Sequence, residues 1–376
     1  MPPLRHLAWP LAVVLLASVM YVARVRHEMV DFGVYRTAAA RALEAAPLYR
    51  ADDGHYQFKY LPAFALAMAP FAWLGPDTAK AAWYALSVAL LWMFVRWSVA
   101  ALPNRRGAVQ AVAWLTVVLM AKFYAHEMNL GQSNILLGVI LLAALVAAQG
   151  GRPGLAGALV GLGIFVKPYA AILLPWLPLV AGVRGLLAAS AVVGAGLALP
   201  ALVYGWRGNV DLVLAWYRTV TETTAPNLLV AENISLAATW AKWIGVGPAA
   251  ARLAVATSAA ALAGAAWVMW RRRRVRSPAY LEFGLLMLLV PLISPQGWDY
   301  VLLLATPAVV CLVDRFGAMT LPWRVFAGAA LGFMSFTIFD LLGRALYSQL
   351  MAVNVISICA LALVACLIQL RARAAA

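Results

Sequence analysis

The sequence predicts an all-α, polytopic membrane protein, and three observations carry that prediction. Hydrophobic residues make up 65% of the 376 residues and charged residues only 11%, whereas an ordinary soluble domain carries roughly 25% charged residues. Apolar runs recur along the whole chain, and arginine clusters or proline–glycine turns separate them. Runs of this length favour membrane-spanning helices. We therefore expect one integral-membrane domain over residues 1–376, with about twelve transmembrane helices.

The net charge of +15 does not indicate a nucleic-acid-binding protein. The basic residues stand singly or in short groups at the ends of apolar segments, as the positive-inside rule predicts for cytoplasmic loops. The densest group, Arg271 to Arg274 with Arg276, lacks the aromatic or polar residues that a nucleic-acid arm would carry between its charges. Membrane lipids, and not nucleic acid, are the expected partners.

The first elements can be placed in order from the amino terminus. The apolar run from Leu7 to Ala23 predicts an uncleaved first span, which takes the following polar stretch to the outer side. Residues 32–46 have the pattern of an amphipathic helix lying along the membrane surface. Residues 60–74 are apolar but broken by two prolines, so we expect a re-entrant or interfacial segment. These juxtamembrane elements form the first outer loop.

The later segments alternate between predicted spans and polar turns. Two short apolar halves that meet at Lys167-Pro168 predict a hairpin of helices with a cation at its tip, because proline disfavours helix at the residue before it. A long polar loop is expected over residues 205–233. The other predicted spans are residues 79–102, 109–124, 135–148, 186–204, 252–270, 280–294, 299–313, 322–343 and 350–370. The arginine flanks then place both termini in the cytoplasm.

Polar clusters other than arginine flanks all fall on the outer side in this topology. Such gathering at one membrane boundary indicates a cavity with a function. The polar stretch from Glu28 to Pro62 is the centre of this set. The clustered residues are Asp31, His55, Gln132, Asn134, Lys167, Asn233, Ser235, Trp298 and Asp299.

Asp31 has two interpretations. It could cap the following helix by accepting the free N–H groups of the first turn, or it could serve as a general base that takes the proton of an acceptor hydroxyl. A glycosidase needs a second carboxylic acid to protonate its leaving group, but a phosphate leaves without one. One carboxylate would therefore suffice for a sugar-phosphate donor.

The other polar residues also leave alternatives open. Lys167 could snorkel to the interface or pair with a phosphate. Ser294-Pro295 has the pattern of a helix start, whose free N–H groups could attract an anion. Gln132 and Asn134 could cap a turn or bind sugar hydroxyls.

No metal or disulfide pattern appears in the sequence. His126-Glu127 has Leu130 where a zinc protease would need its second histidine. The three cysteines have no ligand spacing and indicate small buried hydrophobes; they are Cys311, Cys359 and Cys366. No cofactor is therefore expected, and the sequence leaves metal dependence open.

Several motifs, taken in order, resemble glycosyltransferase family 87, which belongs to the GT-C class of membrane transferases and was formerly a family of unknown function. The match extends over nearly the whole chain. The motifs are D-F-x-V-Y-x-x-A-A at 31–39, K-Y-L-P at 59–62, G-Q-S-N at 131–134, G-L-G-I-F-V-K-P-Y ending at 169, N-I-S-L at 233–236 and S-P-Q-G-W-D at 294–299.

The resemblance implies an inverting transferase that uses a polyprenyl-phosphate sugar donor, mannose above all, without a nucleotide. It places the general base on Asp31 and a phosphate-binding lysine on Lys167. Many family members carry a histidine shortly after the Ser-Pro-x-x-Trp motif, where this chain has Asp299-Tyr300. The other expected substrate-binding residues are Tyr35, His55, Lys59, Gln132, Asn134, Asn233, Ser294, Trp298 and Asp299.

The resemblance also implies a lipid or glycan acceptor and an active site on the periplasmic side of a bacterial inner membrane. A transporter or flippase for lipid-linked saccharides is the alternative, because it would use the same charged cavity without a base. An Asp31→Asn variant separates the two, since only the transferase should lose turnover.

Overall fold

A computed structural model describes residues 15–275 and 277–374, and the described part of the chain is helical without a strand. Residues 7–14 of the predicted first span, Leu7 to Ala23, lie outside the described residues, and the rest of that span is helical. The α-helices are α1 (residues 15–23), α2 (Val30–Leu43), α3 (Pro62–Ala67), α4 (Ala69–Ala72), α5 (Pro76–Ala100), α6 (Val109–Leu130), α7 (Asn134–Gln149), α8 (Pro153–Val166), α9 (Leu177–Ala198), α10 (Ala201–Glu222), α11 (Leu236–Ile244), α12 (Pro248–Trp270), α13 (Ala279–Ile293), α14 (Thr306–Arg315), α15 (Leu321–Phe336), α16 (Phe339–Ala352) and α17 (Val355–Ala374).

Shorter 3-10 helices connect these elements. They are Val25–His27, Ala51–Tyr56, Pro168–Leu173, Ala225–Asn227, Arg272–Arg274, Asp299–Ala305 and Phe316–Ala318. Several α-helices begin with proline in the first turn, among them α3, α5, α8 and α12. Proline is suited to that position because its missing N–H would have no partner there.

Six helical segments in the described chain are long and apolar enough to cross a membrane. They are α5, α6, α9, α12, the run Asp299–Ala318 and residues Val355–Arg373 of α17. A seventh would be the pair α15 and α16, which is bent by 104°. Three apolar helices, α7, α8 and α13, are shorter. The protein is therefore a multi-pass helical membrane protein, but the six or seven spans fall short of the predicted twelve.

The predicted loop over residues 205–233 was wrong in its first part. Residues 206–222 are helical and belong to α10, which has a kink with non-helical backbone at Gly205 (φ +66°). A similar kink at Gly182 (φ +61°) divides α9 close to residue 186, where a span was predicted to begin. Glycine readily adopts a positive φ, which explains why both kinks fall on glycine.

The predicted elements between residues 32 and 74 can be compared with helices α2, α3 and α4. The surface helix predicted over residues 32–46 is α2, which begins two residues earlier and ends at Leu43. Its cap residue is Met29, so Asp31 lies within the first turn and does not cap it. Residues 60–74 form the short helices α3 and α4, neither of which is long enough to cross a bilayer alone.

The core is centred on α13 and the 3-10 helix Asp299–Ala305, whose side chains are almost all buried. Helix α8 packs closely against α9. A Cβ atom on Gly157 would lie 1.8 Å from the carbonyl oxygen of Gly185, so only glycine fits. Lys167 follows α8 and Ser294 follows α13, and both positions lie at the same end of the bundle, where they line one cavity.

Candidate active site

A cavity of about 630 Å³ lies where five segments of the chain meet. This volume is in the range of small-molecule sites. These are the start of α2, the strip between Ala51 and Tyr60, the turn after α6, the residues after α8 and the residues after α13. The end of α10 and the loop after it add a sixth segment to the wall. Of the sequence-predicted site residues, those lining the cavity are Asp31, Tyr35, His55, Lys59, Gln132, Lys167, Ser294 and Trp298.

Asp31 reaches the cavity because the start of α2 is fixed to the end of α6. The Met29 N–H donates to the Asn129 carbonyl oxygen at 2.7 Å. In the first turn of α2, the buried ring of Phe32 stacks on Trp83 with ring centroids 5.5 Å apart. With Phe32 and Tyr35 turned into the core, the neighbouring face of α2 presents Asp31 to the cavity.

Gln132 is presented by a turn that requires glycine. Gly131 ends α6 with φ +68°, and a Cβ atom there would lie 2.8 Å from the Cβ of Phe32. Helices commonly end on a left-handed glycine for this reason. The Gly131 carbonyl oxygen also accepts a hydrogen bond from Trp83 Nε1 at 2.9 Å. The turn therefore holds Gln132 at a fixed position against α2.

The side-chain amide of Gln132 joins the carboxylate to the lysine. Its Nε2 donates to Asp31 Oδ2 at 2.8 Å, and its Oε1 accepts from Lys167 Nζ at 2.8 Å. The hydroxyls of Tyr35 and Tyr60 also donate to Oε1, at 2.8 and 3.1 Å. One neutral side chain thus links the Asp31 carboxylate to the Lys167 ammonium group at a common cavity.

Lys167 is buried in the cavity wall and does not snorkel to the surface. Only 9% of the residue is exposed, and its backbone is extended before Pro168, which ends α8. Its Nζ lies 5.2 Å from the ring centroid of Tyr60 and 5.9 Å from that of Tyr169, within cation–π range. The ammonium group is therefore available to an anion that enters the cavity.

Burial makes Asp31 a stronger base. Loss of solvent is the main effect and raises the pKa of the Asp31 carboxyl group, although the Gln132 hydrogen bond and the Lys167 charge oppose it. Burial lowers the pKa of Lys59, and the Asp31 charge partly offsets this. For Lys167 burial acts in the same direction, but the neighbouring oxygens of Tyr169, Tyr60 and Glu127 outweigh it and raise the pKa. Lys167 is thus a cation at neutral pH.

Asn134, Asn233 and Asp299 do not line the cavity but support its walls. Asn134 is fully buried, and its Nδ2 donates to Glu127 Oε2 at 2.8 Å. Asn233 Nδ2 donates to the Pro295 carbonyl oxygen at 2.9 Å. These bonds leave the asparagine side chains unavailable to a substrate.

The segments around Asn233 and Trp298 form one unit. The Ile234 N–H donates to the Gly297 carbonyl oxygen at 2.7 Å, and the Asp299 N–H donates to the Glu232 carbonyl oxygen at 2.9 Å. Ser294 ends α13 and does not start a helix, so the predicted helix start with free N–H groups was wrong. The rigid turn that follows places Trp298 in the cavity wall, stacked on Tyr300 at 6.5 Å.

Sequence reasoning missed several residues of the site. His126 lines the cavity, and its Nδ1 lies 2.9 Å from Asp299 Oδ1. Glu127, dismissed with the zinc motif, is buried and accepts hydrogen bonds from the Asn134 and Ile135 N–H groups at 2.5 and 3.1 Å. The sequence signal that could have identified them is their position four and five residues before Gly131, within one helical turn or so of the turn that presents Gln132. Tyr60, Trp216, Glu232, Gln296 and Tyr300 also line the cavity.

No group of three or more histidine, cysteine, aspartate or glutamate side chains within residues 15–275 and 277–374 is arranged to hold a metal ion. The centre of the site is thus the Asp31 carboxylate and the Lys167 ammonium group on either side of Gln132. Lys59, Glu232 and several tyrosine and tryptophan rings also line the cavity. Such a site can remove a proton and bind an anion side by side.

Comparison with known proteins agrees with this chemistry. Residues 58–295, more than half of the chain, match the model of glycosyltransferase family 87. The chain is 30% identical over 217 residues to a polyprenol-phosphate-mannose-dependent alpha-(1-2)-phosphatidylinositol mannoside mannosyltransferase of Mycolicibacterium smegmatis. The alignment covers 52% of this chain and 47% of that relative, so the chain spans about half of the relative's length. No solved structure matches.

Proposed function

Because the chain belongs to glycosyltransferase family 87, it is a membrane glycosyltransferase, and we propose that it moves a sugar, mannose first of all, from a polyprenyl-phosphate donor to a lipid or glycan acceptor. The observation that carries the proposal is the Gln132 amide, which donates to Asp31 and accepts from Lys167 at 2.8 Å each. This arrangement supports the proposal because it brings a carboxylate, which could act as the general base, and an ammonium group, which could bind phosphate, to one cavity.

The reaction needs one proton transfer and one displacement. Asp31 takes the proton of an acceptor hydroxyl as that oxygen attacks the anomeric carbon of the donor sugar. The bond between the anomeric carbon and the phosphate oxygen breaks, and its electron pair leaves with polyprenyl phosphate. Attack on the face opposite the phosphate inverts the anomeric configuration. No second carboxylic acid is required, because the phosphate leaves without a proton.

Lys167 is suited to the leaving phosphate. The phosphate gains one negative charge as the bond breaks, and a buried ammonium group nearby stabilises that charge more in the transition state than in the ground state. Lys59 lines the same cavity and adds a second cation. The raised pKa of Asp31 favours removal of the proton from the attacking hydroxyl. The positive charges of Lys167 and Lys59 favour departure of the phosphate in the same reaction.

The remaining lining residues provide the sugar and acceptor surfaces. Trp298 and Tyr300 present stacked rings, which suit the apolar face of a hexose. His55 is exposed at the rim, where it can contact the acceptor. Tyr35 holds Gln132 through its hydroxyl and contributes to the cavity wall.

The topology belongs to the same proposal. We place the cavity on the periplasmic side of a bacterial inner membrane, in a single GT-C domain of about twelve crossings in which the shorter helices α7, α8 and α13 also span the bilayer. The support is the positive-inside rule, since the Arg271–Arg274 group follows α12 at the end of the bundle away from the cavity.

The direct experiment is donor hydrolysis and transfer. Purified protein is incubated with polyprenyl-phosphate mannose, arabinose, glucose or galactosamine together with lipid and glycan acceptors, and release of polyprenyl phosphate is followed. We expect one donor, mannose first, to release polyprenyl phosphate in an acceptor-dependent way. The absence of release with every donor and acceptor would contradict the proposal, and transport without release would favour a flippase.

A further inference from the structure

A second charged cluster lies at the end of α13 away from the cavity. Glu282, in the first turn of α13, is completely buried. It is separated from Ile293, at the cavity end, by about 17 Å of helix at 1.5 Å per residue. Its Oε2 accepts from Trp176 Nε1 at 3.0 Å, and its Oε1 accepts from Arg272 Nε at 3.3 Å. Both carboxylate oxygens are thus already used.

Arg371, on α17, is held beside this carboxylate without a hydrogen bond. Only 2% of Arg371 is exposed, and its closest carboxylate atom, Glu282 Oε1, lies 4.0 Å from its guanidinium. All three side-chain nitrogens of Arg371 are buried and lack an acceptor within the described chain. A buried guanidinium that donates to nothing is strongly disfavoured, so Arg371 has three donors free for an acceptor from outside the described residues.

The cluster also has an excess of positive charge. Two guanidinium groups share the single carboxylate of Glu282. The guanidinium of Arg271 adds a third cation at this end of α12, 4.6 Å from the ring centroid of Trp267, and its Nε is likewise buried without an acceptor. Arg273 and Arg274 follow directly in the chain. A negatively charged acceptor would balance this excess of positive charge.

We propose that this cluster, formed by Arg272, Glu282 and Arg371, binds an anionic phosphate group, either the headgroup of a phospholipid or free phosphate. A phosphate offers paired oxygens that match the fork of a guanidinium group. Helices α12, α13 and α17 pack on one another at the cluster. Basic pockets between membrane helices are recognised sites for anionic headgroups. This site is separate from the cavity and does not depend on the proposed transferase reaction.

The test uses the full-length protein purified in detergent and freed of lipid. The unfolding temperature is followed by tryptophan fluorescence while phosphatidylglycerol, phosphatidylcholine or sodium phosphate is added. Arg371→Gln removes the unpaired guanidinium. Arg373→Gln is the matched control, because Arg373 is exposed on the same helix two residues further along.

We expect phosphatidylglycerol to raise the unfolding temperature of the wild type and of R373Q. The half-effect concentration should be about tenfold higher or more in R371Q, since a charge-assisted pair of hydrogen bonds is lost. A response to phosphatidylglycerol alone assigns the site to a lipid, and an equal response to sodium phosphate assigns it to free phosphate. Both results support the site.

An equal response of R371Q and wild type, or no response of the wild type to either anion, would overturn the proposal. If R371Q does not fold, Arg371→Lys gives the same comparison, because lysine keeps the charge and loses the paired donors. Native mass spectrometry of the wild type gives an independent readout. A retained anionic lipid or phosphate supports the site, and its absence after gentle extraction contradicts it.

Discussion

Replacing Gln132 with leucine tests the central bridge of the site. The change removes the hydrogen bond to Asp31 at 2.8 Å and the acceptor of Lys167 at 2.8 Å. Leucine has nearly the same volume, so the wall should stay in place. A hydrogen bond to a charged group contributes about 1.5–3 kcal/mol. If that contribution is expressed in the transition state, loss of the Asp31 bond alone should lower kcat/KM about 10- to 150-fold.

The variant should also change the pH dependence of the rate. The Gln132 hydrogen bond opposes the rise in the pKa of Asp31 that burial causes. Its removal should raise that pKa further, and because the general base acts when deprotonated, the acid limb of the rate profile should move to higher pH.

The assay is release of polyprenyl phosphate across a pH series with the wild type and both variants. Gln296→Leu is the control, since Gln296 lines the same cavity but donates to Thr223 and Thr224 instead of the charged residues. Its acid limb should match that of the wild type. A Q132L enzyme with kcat/KM within twofold of wild type and an unmoved acid limb would refute the reasoning.

Three further changes test other parts of the site. Lys167→Met should lower kcat and kcat/KM about tenfold or more, because the ammonium group that stabilises the charge on the leaving phosphate is lost. Steady-state kinetics with kcat and kcat/KM unchanged would contradict this role. Gly131→Ala should lower the free energy of unfolding by about 1–3 kcal/mol, because φ is +68° and the new Cβ would lie 2.8 Å from Phe32 Cβ. An unfolding temperature equal to that of the wild type would contradict this. The effects of His126→Asn and Asp299→Asn on kcat/KM should be coupled by about 0.5–3 kcal/mol in a double-mutant cycle, since the two side chains lie 2.9 Å apart. Additive effects would mean that this contact plays no part in the reaction.

The sequence was most informative where a single residue type dictates a local structure. Lys167 before proline predicted a break with a cation at its tip, and the structure confirms the end of α8 there. The glycine of the Gly131 turn likewise brings Gln132 into the cavity. Long apolar runs with arginine flanks predicted the spans α5 and α12 close to their observed bounds, and they predicted the start of α6, which continues to Leu130 beyond the predicted end at residue 124.

The sequence was least informative where distant segments decide the outcome. Ser294-Pro295 has a helix-start pattern, but the preceding apolar residues continue α13 up to Ser294, and the chain then pairs with the Asn233 segment. The contact between His126 and Asp299 joins residues 173 positions apart, and no local pattern could predict it. The polar residues within 205–222 suggested a loop, but this segment forms most of helix α10, and only a few of its side chains are buried.

The most direct test of the account is donor binding and turnover of Asp31→Asn beside Glu232→Gln, which alters another carboxylate of the same cavity. A general base contributes roughly 10²–10⁴-fold to a rate. We predict that Asp31→Asn loses turnover by that amount while its Kd for the polyprenyl-phosphate donor stays near the wild-type value, and that Glu232→Gln keeps most of its turnover. Turnover retained by Asp31→Asn, or lost in Glu232→Gln instead, would contradict the assignment of Asp31 as the base.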